Sequence, residues 1–325
     1  MSKKAAFIKE LALPVVAAPM FLISGPQLVI ECCKNGIVGT FPALNQRSTE
    51  GFEDWLVEIK TELKKYEEET GKKAAPYGVN LIVHPTNPRL EADLKVCIKH
   101  KVPLIITSLG AVSQLVNAIH SYGGLVFHDI IKKRHAEKAA EAGADGLILV
   151  SAGAGGHAGT INPMSLVAEI KKFYDKTVLL SGCISTGRDI ASALQMGADL
   201  AYMGTRFINT KESKASEEYR QMIINAGASD VVYTAAISGV HANFLGASLK
   251  AAGITEEDLK KDRKIDFGKE LNTEAKAWKT IWSAGQGVTT INNVESVSEL
   301  VANLKSEFKS AIEEQIKNLE IYPKE

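Results

Sequence analysis

The chain has 325 residues, 45% of them hydrophobic and 23% charged, a balance that excludes disordered and fibrous classes and leaves ample length for a large core. Lysine plus arginine and aspartate plus glutamate number 38 each, so neither sign favours a nucleic-acid track or an anionic membrane surface. The expected partner is a small molecule.

Near the N-terminus the apolar run from Leu11 to Ile23 is broken by Pro14 and Pro19 and falls short of the roughly 20 residues of a membrane span. Lys3, Lys4 and Lys9 precede it as in a signal peptide, but Glu10 at its edge and the two prolines spoil a helical segment. Cys32, Cys33, Cys97 and Cys183 form no C-x-x-C pair and read as free thiols in a reducing compartment. The expected location is cytoplasmic.

From Leu13 to Gly204, short aliphatic runs alternate with longer segments of helical period, the pattern of repeated βα units. Eight strands are expected: Pro14 to Ala18, Ile37 to Thr40, Tyr77 to Leu81, Leu104 to Thr107, Leu125 to His128, Gly146 to Val150, Val178 to Ser181 and Leu200 to Met203. Several are apolar on both faces, as parallel strands buried on both sides must be. Between the second and third, Phe52, Trp55, Leu56, Ile59, Leu63 and Tyr66 trace one apolar face of an outer helix. Glycine recurs at helix ends, in Asn35-Gly36, Gly123-Gly124, Gly143-Ala144-Asp145 and Gly197-Ala198-Asp199, each just before a strand.

Eight such units predict an α/β fold, a closed (β/α)8 TIM barrel, with strands 1 to 8 in residues 1–210. Residues 211–277 are rich in charge with no strand alternation and predict a small helical insertion after strand eight. Residues 278–325 predict a return loop and a closing helix, its stripe running through Val294, Val297, Leu300, Val301, Leu304, Phe308, Ile312, Ile316 and Leu319.

In such a barrel the active site lies at the C-terminal ends of the strands. After strands seven and eight come Ser181-Gly182-Cys183-Ile184-Ser185-Thr186-Gly187 and Met203-Gly204-Thr205-Arg206. Small residues there let backbone N–H groups approach an anion, and a following helix N-terminus would add positive charge, so both loops predict phosphate binding. After strand six, Ser151-Ala152-Gly153-Ala154-Gly155-Gly156-His157-Ala158-Gly159 presents one ionisable side chain among glycines. His157 has little core to sit in, and a catalytic role is preferred.

The same loop fits the dinucleotide fingerprint G-x-G-x-x-A, with Asp175 downstream. That reading fails because Asn162-Pro163 starts the helix too late and Asp175 precedes the next strand. Walker, zincin and nucleophile-elbow motifs are absent, and the seven histidines lack metal spacing. Asn80, ending strand three, either hydrogen-bonds the edge of a heterocycle or caps a turn. Cys183 reads as a small residue tolerated in a tight loop in preference to a nucleophile.

Taken in order, Pro14-Val15-Val16-Ala17-Ala18-Pro19-Met20, Gly78-Val79-Asn80-Leu81, Gly155-Gly156-His157-Ala158-Gly159, Ser181-Gly182-Cys183-Ile184 and Met203-Gly204-Thr205-Arg206-Phe207 resemble the nitronate monooxygenase family, formerly 2-nitropropane dioxygenases. Ser238 to Leu245 and Trp282 to Gly287 are similar to later segments of that family. The resemblance implies an FMN-binding barrel with His157 as the catalytic residue. It implies that Ala18, Pro19 and Met20 lie beside the flavin ring, Asn80 near its polar edge, and Ser181, Gly182, Cys183, Gly204 and Thr205 on its phosphate. Gly155, Gly156, Ser283 and Gln286 complete the implied cofactor set, with no metal. One departure is visible: Cys183 stands where the family usually has glycine.

The implied activity is FMN-dependent oxidation of an alkyl nitronate with O2 to a carbonyl compound and a nitrogen oxide. Related barrels with the same histidine loop reduce quinones or enoyl thioesters with NAD(P)H and form the second reading, against which Ala18-Pro19-Met20 weighs. A flavin-binding protein without turnover is the third. Self-association into a homo-oligomer is compatible with the sequence.

Overall fold

The structure is a computed structural model and describes residues 7–261 and 280–321. Its frame is a closed barrel of parallel strands: β1 (Val15–Ala17), β2 (Val38–Pro42), β3 (Tyr77–Ile82), β4 (Leu104–Ser108), β5 (Leu125–Ile130), β6 (Gly146–Val150), β8 (Thr177–Ser181) and β9 (Leu200–Met203). Closure is by β1 on β9, with Val16 opposite Tyr202. Each expected strand is present, within two residues at either end.

The double-sided apolar strands divide their side chains as a barrel requires. Val16, Val38, Leu104, Ile106, Phe127, Ile148, Leu179 and Leu200 fill the interior, joined by Phe7, whose ring stands edge-on to Phe127 at 5.8 Å. Alternate residues such as Val15, Leu147, Leu149, Val178 and Leu180 face the helices. Each fully buried side chain of this size contributes roughly 1.5–3 kcal/mol of transfer free energy.

The helices between strands are α1 (Pro26–Lys34), α2 (Thr49–Thr70), α3 (Leu90–His100), α4 (Ser113–His120), α5 (Lys133–Glu141), α6 (Pro163–Lys171) and α7 (Gly187–Gln195). In α2, Phe52, Leu56, Ile59 and Leu63 are buried as the periodicity predicts, and Ser48 caps the first turn by accepting from the Gly51 N–H. Gly36, Gly123, Gly143 and Gly197 all take left-handed φ angles between 80° and 105°, which explains the recurring glycine at helix ends.

The segment after β9 departs from expectation. It contains the short helices α8 (Thr205–Ile208), α9 (Glu217–Ile224) and α10 (Gly246–Ala251), but also strands β10 (Val231–Thr234) and β11 (Ala242–Leu245). These pair antiparallel, and β11 pairs with β7 (Gly156–His157), the histidine loop itself. The insertion is therefore not purely helical. Its strands are four residues each, too short for alternation to stand out, although Val231-Val232-Tyr233-Thr234 has strand composition. The expected boundary at residue 277 lies outside the described residues.

The closing helix α11 (Val297–Asn318) buries Val297, Leu300, Val301, Leu304 and Ala311. Its 22 residues span about 33 Å while its neighbour α7 has nine residues, about 14 Å. The end of the expected stripe consequently overshoots the barrel, and Ile316 and Leu319 are 58% and 66% exposed. No helix among the described residues is long and apolar enough to cross a membrane.

Candidate active site at the C-terminal mouth of the barrel

The barrel residues singled out in the sequence lie in the C-terminal half of a strand or in the loop that follows it, Asn80 standing two residues before the end of β3. The loop after β1 is held from both sides: the Ala18 N–H donates to Met203 O (2.9 Å), and the Met20 N–H to Ser24 Oγ (3.0 Å). Asn45 ties it down, its Nδ2 donating to Met20 O (3.0 Å) and Ser24 O (2.8 Å). Asn45 has no motif around it, so sequence reasoning missed it.

After β8 the backbone turns left-handed twice, at Gly182 (φ 126°) and Cys183 (φ 56°). Cys183 thus holds a conformation that glycine adopts at no cost. Its thiol is exposed, and burial of its surroundings together with Asp189 raises its pKa, against a reactive thiolate. The N–H groups of Gly182, Cys183 and Ile184 donate to no described residue, forming the run of free donors that binds anions. The N–H groups of Gly204 and Thr205 on the neighbouring strand end likewise donate to no described residue.

The helix N-terminus expected to assist them is already occupied. Ser185 and Thr186 donate their N–H groups to Asp189 Oδ2 (3.0 and 2.9 Å), and Gly187 donates to Glu307 Oε2 (2.6 Å). Any anion on this loop is held by the turn, not by α7. Arg206 is also committed: it pairs with Glu295 (2.5 Å) beside a polar cavity of about 280 Å³ behind the loop.

Gly204 differs from the other loop glycines. A Cβ at Gly155 would meet Gly285 N at 2.8 Å and Thr205 Oγ1 at 3.0 Å, so protein packing explains that glycine. A Cβ at Gly204 would make only ordinary contacts, 3.6 Å to Ala18 and 3.9 Å to Met20, with φ at −104°. Neither packing nor backbone demands glycine at 204.

The return segment bridges the loops. The Gln286 N–H donates to Gly153 O (2.9 Å), the Gly285 N–H to Thr205 Oγ1 (2.9 Å), and Gln286 Oε1 lies 3.9 Å from Cys183 Sγ. Ser283 is anchored through its carbonyl by the Tyr219 hydroxyl. Loops six, seven and eight are thereby tied into one wall.

His157 sits on β7 opposite Ala242 of β11. The hairpin holds its loop by three further bonds: Asn243 Nδ2 to Ala154 O (2.7 Å), the Tyr233 hydroxyl to Ala158 O (2.9 Å), and the Ala158 N–H to His241 O (3.3 Å). The ring nitrogens of His157 have no side-chain partner among the described residues. Burial lowers its pKa to about 4, so the imidazole is neutral at physiological pH.

Asn80 is buried, and its amide donates to Ile106 O (3.3 Å) and Ser108 Oγ (2.8 Å). It therefore bridges to β4 and does not cap a turn. No group of three or more metal-ligating side chains occurs among the described residues.

The pattern of the nitronate monooxygenase family matches residues 41–307. The chain belongs to that family. Members are flavin-dependent oxidoreductases. The chain is 27% identical over 350 aligned positions to a nitronate monooxygenase of Paraburkholderia phytofirmans, covering 93% of each chain. It is 28% identical to an octahydroindene-carboxyl-CoA dehydrogenase of Rhodococcus jostii, over 73% of this chain and 63% of that one. A nitroalkane oxidase structure from Streptomyces ansochromogenes superposes with a TM-score of 0.81 at 23% identity, covering 95% of this nitronate monooxygenase family member and 99% of that chain.

Proposed function

We propose that the protein binds FMN across the barrel mouth and oxidises alkyl nitronates with O2, yielding a carbonyl compound and an inorganic nitrogen oxide. The observation that carries this reading is the pairing of a neutral imidazole, His157, that has no side-chain partner among the described residues, with two adjacent strand-end loops in which the N–H groups of Gly182, Cys183, Ile184, Gly204 and Thr205 donate to no described residue. One mononucleotide phosphate suits the two loops. When bound, FMN would supply the redox chemistry, with O2 as the oxidant.

The protein's own groups do the rest. Gly182, Cys183, Ile184, Gly204 and Thr205 offer backbone donors to the phosphate, and Ala18, Pro19 and Met20 form the pinned surface beside the ring. Ser181, Gly155, Gly156, Ser283 and Gln286 shape the wall between phosphate and ring, and Asn80 meets the ring's polar edge. His157 donates an N–H to the negative oxygens of the nitronate, a role a neutral imidazole fills without first gaining a proton. A pKa near 4 makes it a weak base at neutral pH, which favours the preformed nitronate over the neutral nitroalkane as substrate.

The similarity to a CoA-thioester dehydrogenase keeps the thioester reading as the alternative. Anaerobic mixing separates the two. Bleaching of the bound flavin by an alkyl nitronate, and not by NAD(P)H, is the expected result; bleaching by NAD(P)H alone overturns the proposal. Denaturation should release FMN, and release of mainly the adenine dinucleotide would overturn the cofactor assignment.

A further inference from the structure

Three strand ends meet inside the barrel mouth in a chain of hydrogen bonds whose direction is set by chemistry. The carbonyl of Ile106 can only accept, and it lies 3.3 Å from one end of the Asn80 amide, so that end is Nδ2. The same Nδ2 donates to Ser108 Oγ at 2.8 Å. Ser108 gives its own hydrogen to Asp129 Oδ2 at 2.5 Å, which leaves its lone pairs for the Asn80 N–H. Both amide hydrogens of Asn80 are thus spent, and Oδ1 accepts nothing from the described residues.

We propose that Ser108 and Asp129 are positioning residues that lock the Asn80 amide in one orientation, so that it offers its carbonyl oxygen to the N3–H of the oxidised flavin ring. The inference rests on the barrel mouth being the FMN seat. The oxidised ring has one N–H, at N3, and its other polar atoms accept. An amide free to turn would serve either kind; a locked one selects the N–H. Asp129 is a costly residue to keep for any lesser purpose, since burial raises its carboxyl pKa to about 6 and Ser108 alone eases that cost.

The test compares FMN with 3-methyl-FMN, which lacks the ring N–H, by fluorescence titration of flavin-stripped protein. Wild type should bind 3-methyl-FMN at least tenfold more weakly, because a site built around a hydrogen bond rejects the analogue that lacks it. In Ser108→Ala and in Asp129→Ala the two Kd values should come within about threefold of each other. The double variant should discriminate no less than either single one, as members of one chain do not add. A purely structural role would weaken both flavins equally and leave the ratio at its wild-type value, which overturns the inference, as does a wild-type ratio near one. Binding of neither flavin to wild type overturns the FMN seat itself. Near-UV circular dichroism verifies folding, and each single variant is a test independent of the other.

Discussion

His157 combines two properties: its ring nitrogens have no side-chain partner among the described residues, and burial holds it neutral. Replacing it by alanine should cost on the order of 1.5 to 3 kcal/mol in transition-state binding, roughly a ten- to hundredfold loss in kcat/KM with a preformed nitronate. Flavin content should stay unchanged. Were the histidine a general base, the loss with neutral nitroalkanes would reach about 10²- to 10⁴-fold and exceed that with nitronates; steady-state kinetics with both forms decides. Gly204 gives a second residue-level prediction. Gly204→Ala has room for its methyl and should fold with FMN affinity reduced several-fold. Gly204→Asp should also fold, yet lose about a hundredfold or more, because its carboxylate would repel a phosphate. Equal FMN affinity in all three proteins would move the phosphate elsewhere.

At the scale of elements, the β10–β11 hairpin acts as the bearing for the histidine loop. Asn243→Ala removes the donor to Ala154 O and leaves a buried carbonyl unpaired, a cost of about 1–3 kcal/mol. We expect kcat to fall about tenfold while the Kd for FMN stays within about threefold; a change confined to stability would reduce the hairpin to scaffolding. The barrel strands were legible in the sequence because several are apolar on both faces and four of them follow a glycine turn at a helix end. The hairpin was hidden because four-residue strands carry too little alternation. Asn80, His157, Gly182 and Gly204 stood out through their place at strand ends. Asn45, Ser108 and Asp129 did not, since their partners lie in the loop after β1 or on neighbouring strands, which only the folded barrel brings together. The free N–H groups after β8 follow from φ angles that composition at Cys183 would not suggest.

At the scale of the whole molecule, His128, His157 and Asp129 are buried groups whose titration shapes stability between pH 4 and 7. His128 and His157 are lowered to about 4, chiefly by burial, from an unfolded value near 6.5. Below pH 6.5 the unfolded chain takes up protons that the folded one refuses, so each histidine costs up to about 3 kcal/mol as pH falls to 4. Asp129 works in the opposite sense. Its raised pKa makes the folded state the better proton acceptor between pH 4 and 6, so its ionisation costs stability as pH rises through that window. Urea unfolding should therefore show His157→Gln gaining on wild type as pH falls from 7 to 4.5. Asp129→Asn should be the more stable by about 2 kcal/mol at pH 7, with the gain gone by pH 4. Parallel curves for all three proteins would contradict the assigned burial.

The contact between Gly187 and Glu307 joins the turn after β8 to the last helix of the chain, so closely that a Cβ on Gly187 would strike the α11 backbone. Residues 297–318 emerge from the ribosome after everything they touch. Until they arrive, the first N–H of α7 lacks its acceptor and the barrel has an open seam along α7. Packing is thereby ordered along the sequence: the strands and both loops can form from earlier residues, but the turn after β8 gains its Gly187 anchor only when residues 297–318 dock against it.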